Sequence, residues 1–313
     1  MTTRRTRGTA TLLDTRTRAL RRYLPKAVAG DDRGVHQARV ASRRLREAIP
    51  VIATAMKGSK AKKATRKIRR LTRALGSVRE LDVTLQLIEE LSRSEDLSRP
   101  ALQDVRLYVA TERDRHREKM LAQLAEVDSD KLNRRFESLA SALAADTTGA
   151  WRQALASRLL KRSRRLSEAI DTAGQLYVPE HLHQVRIAAK KLRYGLELAV
   201  DAGITAAATH VQTVKRTQTI LGRLHDLQIL QAFVASVQAA PQARPGGHEE
   251  LAAIVGRIEE QCRLLHGKYV AAVPALHVVT AAVRSDVVGR LGKASRPLKM
   301  VLPGSRKRAP HAV

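Results

Sequence analysis

A stretch of twelve residues near the start of the chain recurs 147 positions later, and this repeat constrains the fold more than any other feature. Val35–Arg46 aligns with Leu182–Arg193, with six of the twelve positions identical. A second pair of segments, Leu75–Val83 and Leu221–Ile229, aligns at an offset of 146. Two matches in the same order and at nearly the same separation indicate a duplicated unit of about 145 residues. The boundary between the two units falls near Gly149.

Both units have the composition and the periodicity of helices. Alanine, leucine, arginine, glutamate and glutamine dominate, and all of them favour helices. Apolar residues recur with a period near 3.6 in stretches of about 20–35 residues, which glycines and prolines separate. The pattern therefore predicts an all-α chain with helices at 9–28, 32–56, 60–93, 99–126, 130–146, 150–173, 180–201, 204–238, 247–272 and 275–291. Only the β-branched segment Val278–Val288 is also compatible with a strand.

This organisation predicts two helical domains between two basic tails. Each unit has room for four or five helices, which is enough for a helical bundle. The predicted domains cover residues 9–148 and 149–293, and the predicted tails, which we expect to be disordered, cover 1–8 and 294–313.

The chain is strongly basic. Its 313 residues include 58 Lys and Arg against 30 Asp and Glu, which is a formal net charge of +28. Such a charge repels itself and favours an anionic partner. The candidate partners are a nucleic acid, an anionic membrane surface and a phosphate polymer.

Other features of the composition exclude several classes of protein. A hydrophobic fraction of 43% is typical of a folded chain, so a wholly disordered basic protein is excluded. The single cysteine, Cys262, excludes an intrachain disulfide framework and a thiolate zinc site. No apolar run approaches the roughly 18 residues that a bilayer span needs, and no apolar segment follows the basic N-terminus as in a signal peptide. We therefore expect a soluble, intracellular protein without a membrane partner.

The repeated twelve-residue segment carries a basic stripe beside an apolar face. On a helical wheel the apolar residues of the first copy form one arc: Ala38, Ala41, Leu45, Ala48, Ile49 and Ile52. Beside this arc lies a stripe with spacing i, i+3, i+7 and i+10, formed by His36, Arg39, Arg43 and Arg46. The second copy repeats the stripe with His183, Arg186, Lys190 and Arg193. Since each stripe flanks the buried face, we expect it to lie in a groove between two helices.

The next helix of the first unit adds further positive charge. The segment 57–73 holds nine Lys or Arg and no acidic residue. Four of these share a polar face, namely Arg66, Arg69, Arg70 and Arg73. The second unit keeps Lys215 and Arg216 at two of these positions but has Gln212 and Thr219 at the other two. Its preceding helix partly compensates, with Arg158, Lys161, Arg162 and Arg165 on one face.

Stripes of this kind suit a linear polyanion. Successive stripe residues advance about 5.4 Å along the axis for each turn, and a phosphate chain can follow such a spacing. Arginine offers planar, forked donors to phosphate oxygens, and lysine offers a point charge. A histidine in the stripe can donate a hydrogen bond and becomes cationic at mildly acidic pH.

The second repeated motif, Leu-Gly-x-x-Arg/His-Glu/Asp-Leu, has a structural interpretation. Gly76 and Gly222 would allow a close helix approach or a kink. The acidic residues Glu80 and Asp226 would pair with stripe arginines and hold them in place, which we favour over contact with a ligand. Asp82 has Gln228 at the corresponding position, so the carboxylates do not form a duplicated catalytic pair.

At these residues the chain resembles the CHAD (conserved histidine α-helical domain) family. The matching elements are His-x-x-Arg-x-x-x-Arg/Lys-Arg/Lys-x-Arg at 36–46 and 183–193, and the leucine-glycine motif at 75–81 and 221–227. The resemblance covers roughly residues 9–292. It implies two four-helix bundles related by a pseudo-two-fold axis, with the basic stripes facing a central cleft or pore that binds inorganic polyphosphate. It also implies an association with polyphosphate granules in the cytoplasm.

Carried over to this sequence, the resemblance implies that the polyphosphate-binding residues are His36, Arg39, Arg43, Arg44, Arg46, His183, Arg186, Lys190, Lys191 and Arg193. The third-helix residues Arg66, Arg69, Arg70, Arg73, Lys215 and Arg216 extend this set. Gln212 and Thr219 depart from a fully basic lining, so the second half is expected to bind less tightly. Some family members carry an additional triphosphate tunnel metalloenzyme (CYTH) domain, but its Glu-x-Glu-x-Lys signature is missing here.

Two functions other than non-enzymatic polyphosphate binding fit some of these features. A sequence-independent DNA- or RNA-binding protein would have the same charge, but eight aromatic residues are few for stacking bases. A phosphate-transferring enzyme would need clustered carboxylates for Mg²⁺ or a glycine-rich phosphate loop. The acidic pairs at 89–90, 249–250 and 259–260 are sequence neighbours that point apart on a helix, and no such loop is found. We therefore expect a protein that is not an enzyme and has no metal or cofactor.

Overall fold

The computed structural model describes residues 3–52, 54, 60–144, 150–240 and 246–291. Within these ranges the chain is helical and contains no strand. The helices are α1 (Thr3–Val28), α2 (Asp32–Ile52), α3 (Lys60–Leu91), α4 (Arg99–Ala125), α5 (Ser129–Ala144), α6 (Ala150–Ala173), α7 (Pro179–Asp201), α8 (Ala207–Gln238) and α9 (Gly247–Ala282). A π-helical turn, Val283–Val288, follows α9. The all-α prediction is therefore confirmed.

The two largest differences from the predicted helix boundaries are in α1 and α9. Helix α1 begins at Thr3, within the segment 1–8 for which the sequence predicts a disordered tail. A single helix, α9, passes through Pro274, where the sequence predicts a break. Tyr269 and Leu276 on either side of this proline are fully buried, so packing of both turns against the core holds the helix together despite the missing hydrogen bond. The predicted unit boundary near Gly149 and the predicted tail 294–313 lie outside the described residues.

The β-branched segment Val278–Val288 is helical and ends in the π-helical turn. Its valines Val279, Val283 and Val287 are buried, at the four-residue spacing of one helix face. Burial of this face outweighs the weak intrinsic preference of valine for strands.

The apolar arc of the repeated segment is buried as predicted. In α2 this arc consists of Ala38, Ala41, Leu45, Ala48, Ile49 and Ile52, and each is at most 3% exposed. The larger hydrophobic core runs through both halves of the chain, from Leu13 in α1 to Leu291 beyond the π-helical turn. A second, smaller core joins α3 and α4 of the first half to α8 and α9 of the second. The two halves therefore pack on each other through apolar side chains.

Helices that correspond in the sequence repeat contact each other across the two halves. Helix α2 packs against α7, and α3 packs against α8. Within each half, α2 also packs against α1 and α3, and α7 packs against α6 and α8. This packing brings both copies of the basic stripe to one interface. The pseudo-two-fold relation between the halves stays a prediction.

The helical stretch Gly247–Leu291 is long and apolar enough, by length and composition, to cross a membrane. Its most apolar 18-residue window has a mean hydropathy of 1.3 and is 22% buried. The sequence analysis predicted no membrane-spanning segment and did not identify this window. A core helix of a globular protein passes the same criterion, and this stretch supplies several core residues, among them Ile258, Tyr269 and Leu276.

Candidate functional site

The basic stripes of the two copies face each other across the contact between α2 and α7. Lys190 on α7 interacts electrostatically with Arg39, Arg43 and Arg46 on α2, and with Arg186 on its own helix. Arg186 in turn interacts with Arg43. We call Arg39, Arg43, Arg186 and Lys190 the central cation group. Its four charges come from both copies of the repeat and occupy one region between the helices.

The central cation group lacks a counter-charge in direct contact. In the described part of the chain, no carboxylate lies within 4 Å of any of its four members. The Nε atom of Arg39 is buried and has no hydrogen-bond partner. A buried donor without a partner costs about 1–3 kcal/mol, and more when the group is charged. The group is therefore suited to bind an external anion.

Burial and mutual repulsion lower the pKa values of Lys190, Arg39 and Arg186. Burial is the main cause for Lys190, followed by the guanidinium groups of Arg43, Arg186, Arg39 and Arg46, and its pKa falls to about 7. Burial also lowers the pKa of Arg39 to about 10, with Arg43 as the next cause. A lysine with a pKa near 7 is only partly charged at neutral pH, and a bound anion would restore its charge.

Two carboxylates of the second repeated motif lie near the group. Glu80 on α3 acts electrostatically on Arg39 and Arg186, and Asp226 on α8 acts on Arg186. Burial raises the pKa of Asp226, and the neighbouring Glu80 adds to this shift. These acidic side chains partly offset the positive charge from a distance, in line with the structural interpretation of the motif. Among the described residues, however, neither forms a close ion pair with a stripe arginine.

The glycines of the same motif do not have the expected close contacts. A Cβ atom added at Gly76 or Gly222 would meet no atom of another element within 4 Å. The prediction of a close helix approach at these positions is therefore wrong.

The histidines of the stripes lie at the edge of the group and are held neutral. Burial lowers the pKa of His36, and the charges of Arg79 and Arg39 lower it further. The ring of His183 lies 4.8 Å from the ring of His225 on α8. Burial lowers the pKa of His225 to about 4, with Arg186 as the next cause. His225 was not predicted as a site residue, although it occupies the Arg/His position of the second repeated motif.

An aromatic ring holds one arginine from each stripe. The guanidinium carbon of Arg43 lies 6.0 Å from the ring centroid of Tyr194, and that of Arg193 lies 5.1 Å away. Tyr194 is only 8% exposed, so this contact takes place at low solvent exposure, where cation–π attraction is strongest. No spacing pattern in the sequence indicates this role of Tyr194.

The remaining stripe cations line two clefts. The first cleft has a volume of about 970 Å³ and lies between α2, α3, α6 and α7. Eight basic side chains line it, namely Arg46, Arg69, Arg73, Arg158, Lys161, Arg162, Arg165 and Lys191. The acidic residue in its lining is Glu47, which accepts a hydrogen bond from Arg162 and lies 3.8 Å from Nε of Arg46.

The second cleft lies between α1, α2, α7 and α8 and has a volume of about 460 Å³. Its charged lining consists of Arg16, Arg44, Arg193, Lys215, Glu197 and Asp201. Here the carboxylates are paired: Asp201 lies 2.5 Å from Arg16, and Glu197 lies 3.5 Å from Arg44 and 3.7 Å from Arg193.

Apart from the central cation group and the stripe histidines, three predicted site residues line neither cleft. Arg66 and Arg216 are exposed on α3 and α8. Arg70 pairs with Glu126 at 3.1 Å, beside a small cavity between α3, α4 and α5. The four basic residues that share one face of α6, by contrast, all line the first cleft, namely Arg158, Lys161, Arg162 and Arg165. The described residues contain no group of three or more His, Cys, Asp or Glu side chains arranged to hold a metal ion.

Comparison with known proteins identifies the family. The family model described as CHAD domain matches residues 11–235, which is more than half of the chain. The chain belongs to the CHAD family. The fold of this CHAD protein is similar to the crystal structure of the CHAD domain from the plant Ricinus communis, with a TM-score of 0.61 and 22% sequence identity. That alignment covers 87% of this chain and 91% of the plant domain.

A second solved structure with the CHAD protein's fold is PptA from Streptomyces chartreusis. The TM-score is 0.62 at 13% identity, and the alignment covers 86% of this chain and 99% of PptA. The CHAD chain matches no curated protein sequence.

We expect Lys190→Met to stabilise the ligand-free CHAD protein. Replacing an uncompensated buried charge with an apolar side chain of similar length often raises the free energy of unfolding by about 1–4 kcal/mol. Thermal unfolding in low salt at pH 7 would show a higher Tm than for wild type. Lys191→Met is the matched control, because Lys191 is the exposed neighbour on the same helix, and it should leave the Tm nearly unchanged.

The sign of the pH dependence gives a second readout. The pKa of Lys190 is lower in the folded chain than in the unfolded chain, so the unfolded state binds more protons above pH 7. The contribution of Lys190 to the free energy of unfolding of wild type should therefore increase from about pH 7 toward pH 10. Lys190→Met should not show this increase. A lower Tm for Lys190→Met than for Lys191→Met would show that the lysine is compensated in the folded state.

Proposed function

We propose that this CHAD protein binds inorganic polyphosphate without chemically changing it, and that the central cation group is the main contact. The observation that carries this proposal is the convergence of four cations from both repeats with no carboxylate within 4 Å in the described chain. Such a group is costly in the free protein. A polyanion offsets this cost and restores the charge on Lys190.

The chemistry of the group suits a linear phosphate chain. Three of its four members are arginines, whose forked donors can bind two phosphate oxygens at once. The stripes run along α2 and α7, so further charges follow on either side at helical spacing. Membership of the CHAD family fits a polyphosphate-related function. We also propose, without support from these comparisons, a cytoplasmic location at polyphosphate granules.

A nucleic acid is the second candidate ligand, but the surroundings of the group favour a polymer without bases. Protein sites for single strands use exposed aromatic rings for stacking. Tyr194 is buried and already contacts Arg43 and Arg193. Weak, salt-sensitive binding of DNA or RNA is still expected, because counterion release depends on phosphates and not on bases.

A competition titration distinguishes the two ligands. Labelled long-chain polyphosphate is bound to the protein at about 150 mM salt, a concentration at which distant charges are screened. Duplex DNA, RNA and tripolyphosphate are then added, matched by phosphate concentration. We expect unlabelled long-chain polyphosphate to displace the label at a phosphate concentration at least tenfold lower than DNA or RNA does.

Two results would overturn the proposal. Equal competition by DNA and polyphosphate would mean that the protein is a general polyanion binder. Phosphate release from polyphosphate in the presence of Mg²⁺, lost on substitution of one carboxylate, would mean that the protein is an enzyme.

A further inference from the structure

The two clefts occupy corresponding positions in the sequence repeat. Gln37, Val40 and Ala41 line the second cleft, and the residues at the same repeat positions, Gln184, Ile187 and Ala188, line the first. The residues that line the clefts from the flanking helices also have the same spacing. They are Thr15, Arg16 and Ala19 on α1 for the second cleft, and Lys161, Arg162 and Arg165 on α6 for the first. The clefts are therefore two versions of one structural feature.

The charges of the two versions have diverged. On the flanking helix, the first cleft has Lys161 and Arg165 where the same spacing places Thr15 and Ala19 in the second. On the central helices the first cleft is again the less negative of the two. Glu197 of the second cleft occupies the repeat position of Pro50 in the first, so the second cleft gains a carboxylate.

Ion pairing increases this difference. In the second cleft Arg16, Arg44 and Arg193 each lie within 4 Å of a carboxylate, which leaves Lys215 as its unpaired cation among the described lining residues. In the first cleft Glu47 engages Arg46 and Arg162. Six lining cations of the first cleft have no carboxylate within 4 Å in the described chain: Arg69, Arg73, Arg158, Lys161, Arg165 and Lys191.

The first cleft is also connected to the central cation group. Arg46 lines this cleft and acts electrostatically on Lys190. A phosphate chain that binds the central cation group can therefore meet a continuous series of cations through Arg46 toward α3 and α6. Arg46 and the residue at the same repeat position in the second cleft, Arg193, are each paired with a carboxylate, but only Arg193 is also stacked on Tyr194.

We propose that a linear phosphate chain extends from the central cation group into the first cleft and not into the second, so that the duplicated site binds its ligand asymmetrically. This inference rests on the proposed polyphosphate binding. It assigns ligand contact to Lys161 and Arg165 of α6. It assigns a structural role to Arg44 and Arg193, which hold α2 and α7 together through Glu197.

The repeat provides a matched pair of variants for the test. Arg69→Gln with Lys191→Gln removes one arginine and one lysine from the first cleft. Lys215→Gln with Arg44→Gln removes one lysine and one arginine at the corresponding positions of the second cleft. All four side chains are exposed, so both double variants should fold. Affinity for long-chain polyphosphate is measured at several salt concentrations, and circular dichroism verifies the fold.

We expect the first-cleft variant to bind at least tenfold more weakly than the second-cleft variant. The slope of log K against log salt should also be smaller in magnitude by about one for the first-cleft variant. The reason is that about 0.7 counterions are released for each phosphate contact. Equal losses in the two variants would overturn the asymmetry, as would a larger loss in the second-cleft variant. If neither variant loses affinity, neither cleft contacts the ligand, and only the central cation group is left as the binding site. Failure of the proposed function itself appears separately, as loss of the preference for polyphosphate in the wild-type competition titration.

Discussion

Replacing the central cation group with glutamine, in the variant Arg39→Gln, Arg43→Gln, Arg186→Gln and Lys190→Gln, is expected to weaken polyphosphate binding by at least about 100-fold. Each hydrogen bond to a charged group contributes roughly 1.5–3 kcal/mol, and four such groups act on the same ligand. The slope of log K against log salt should fall in magnitude by about two to three, since about 0.7 counterions are released for each phosphate contact to a flexible strand. Fluorescence anisotropy with labelled polyphosphate at pH 6.5 measures both quantities.

A variant with four glutamines at exposed arginines controls for the loss of net charge. Arg18, Arg21, Arg115 and Arg164 suit this purpose, because each pairs with a surface carboxylate and none lines either cleft. This control should bind polyphosphate within about threefold of wild type, because isolated surface charges contribute little at 150 mM salt. Similar losses in the two quadruple variants would show that total charge, and not the central cation group, determines the affinity.

The affinity of wild type for polyphosphate should fall as the pH rises above 7. Lys190 has a pKa of about 7 in the free protein, and a bound polyanion raises that value by favouring the charged form. Binding therefore takes up a proton at alkaline pH. The affinity should decrease by up to about tenfold for each pH unit above the pKa of the free protein. Between pH 7 and pH 9 we expect a decrease of at least about tenfold, measured by the same anisotropy titration.

Lys190→Arg tests whether this lysine is the responsible group. Arginine stays protonated over the whole range, so the variant should keep nearly constant affinity between pH 7 and pH 9. Any change in ligand charge is common to both proteins and cancels in the comparison. The stripe histidines also cancel, because their lowered pKa values leave them neutral above pH 7. Parallel pH curves for wild type and Lys190→Arg would contradict the assignment.

Much of the fold follows from local patterns in the sequence. The apolar arc of α2 predicts which of its residues are buried, since a helix packs one face and the spacing of that face is fixed by 3.6 residues per turn. Predictions made at single residues were weaker. Pro274 does not end α9, because buried contacts on both sides of it outweigh the local preference. A sequence window does not contain those contacts.

The candidate site was predicted in its components and not in its arrangement. The stripes predict which faces of α2 and α7 are basic. The contact between α2 and α7 then divides each stripe: Arg39 and Lys190 belong to the central cation group, whereas Arg46 and Arg193 line different clefts. His225 enters the site from α8 through its ring contact with His183 on α7.

The sequence by itself determined the helical class, the duplication and the identity of the cations, because each of these depends on composition or on spacing within one helix. Only the tertiary structure decided that the stripes face each other, that Lys190 is surrounded by arginines and that most cations of one cleft are paired whereas most cations of the other are not. These features depend on contacts between residues that lie far apart in the chain, such as Arg44 with Glu197 and Glu47 with Arg162. Packing of the two halves creates these contacts, and the same packing lowers the pKa of Lys190, because burial and neighbouring charges act through space and not along the sequence.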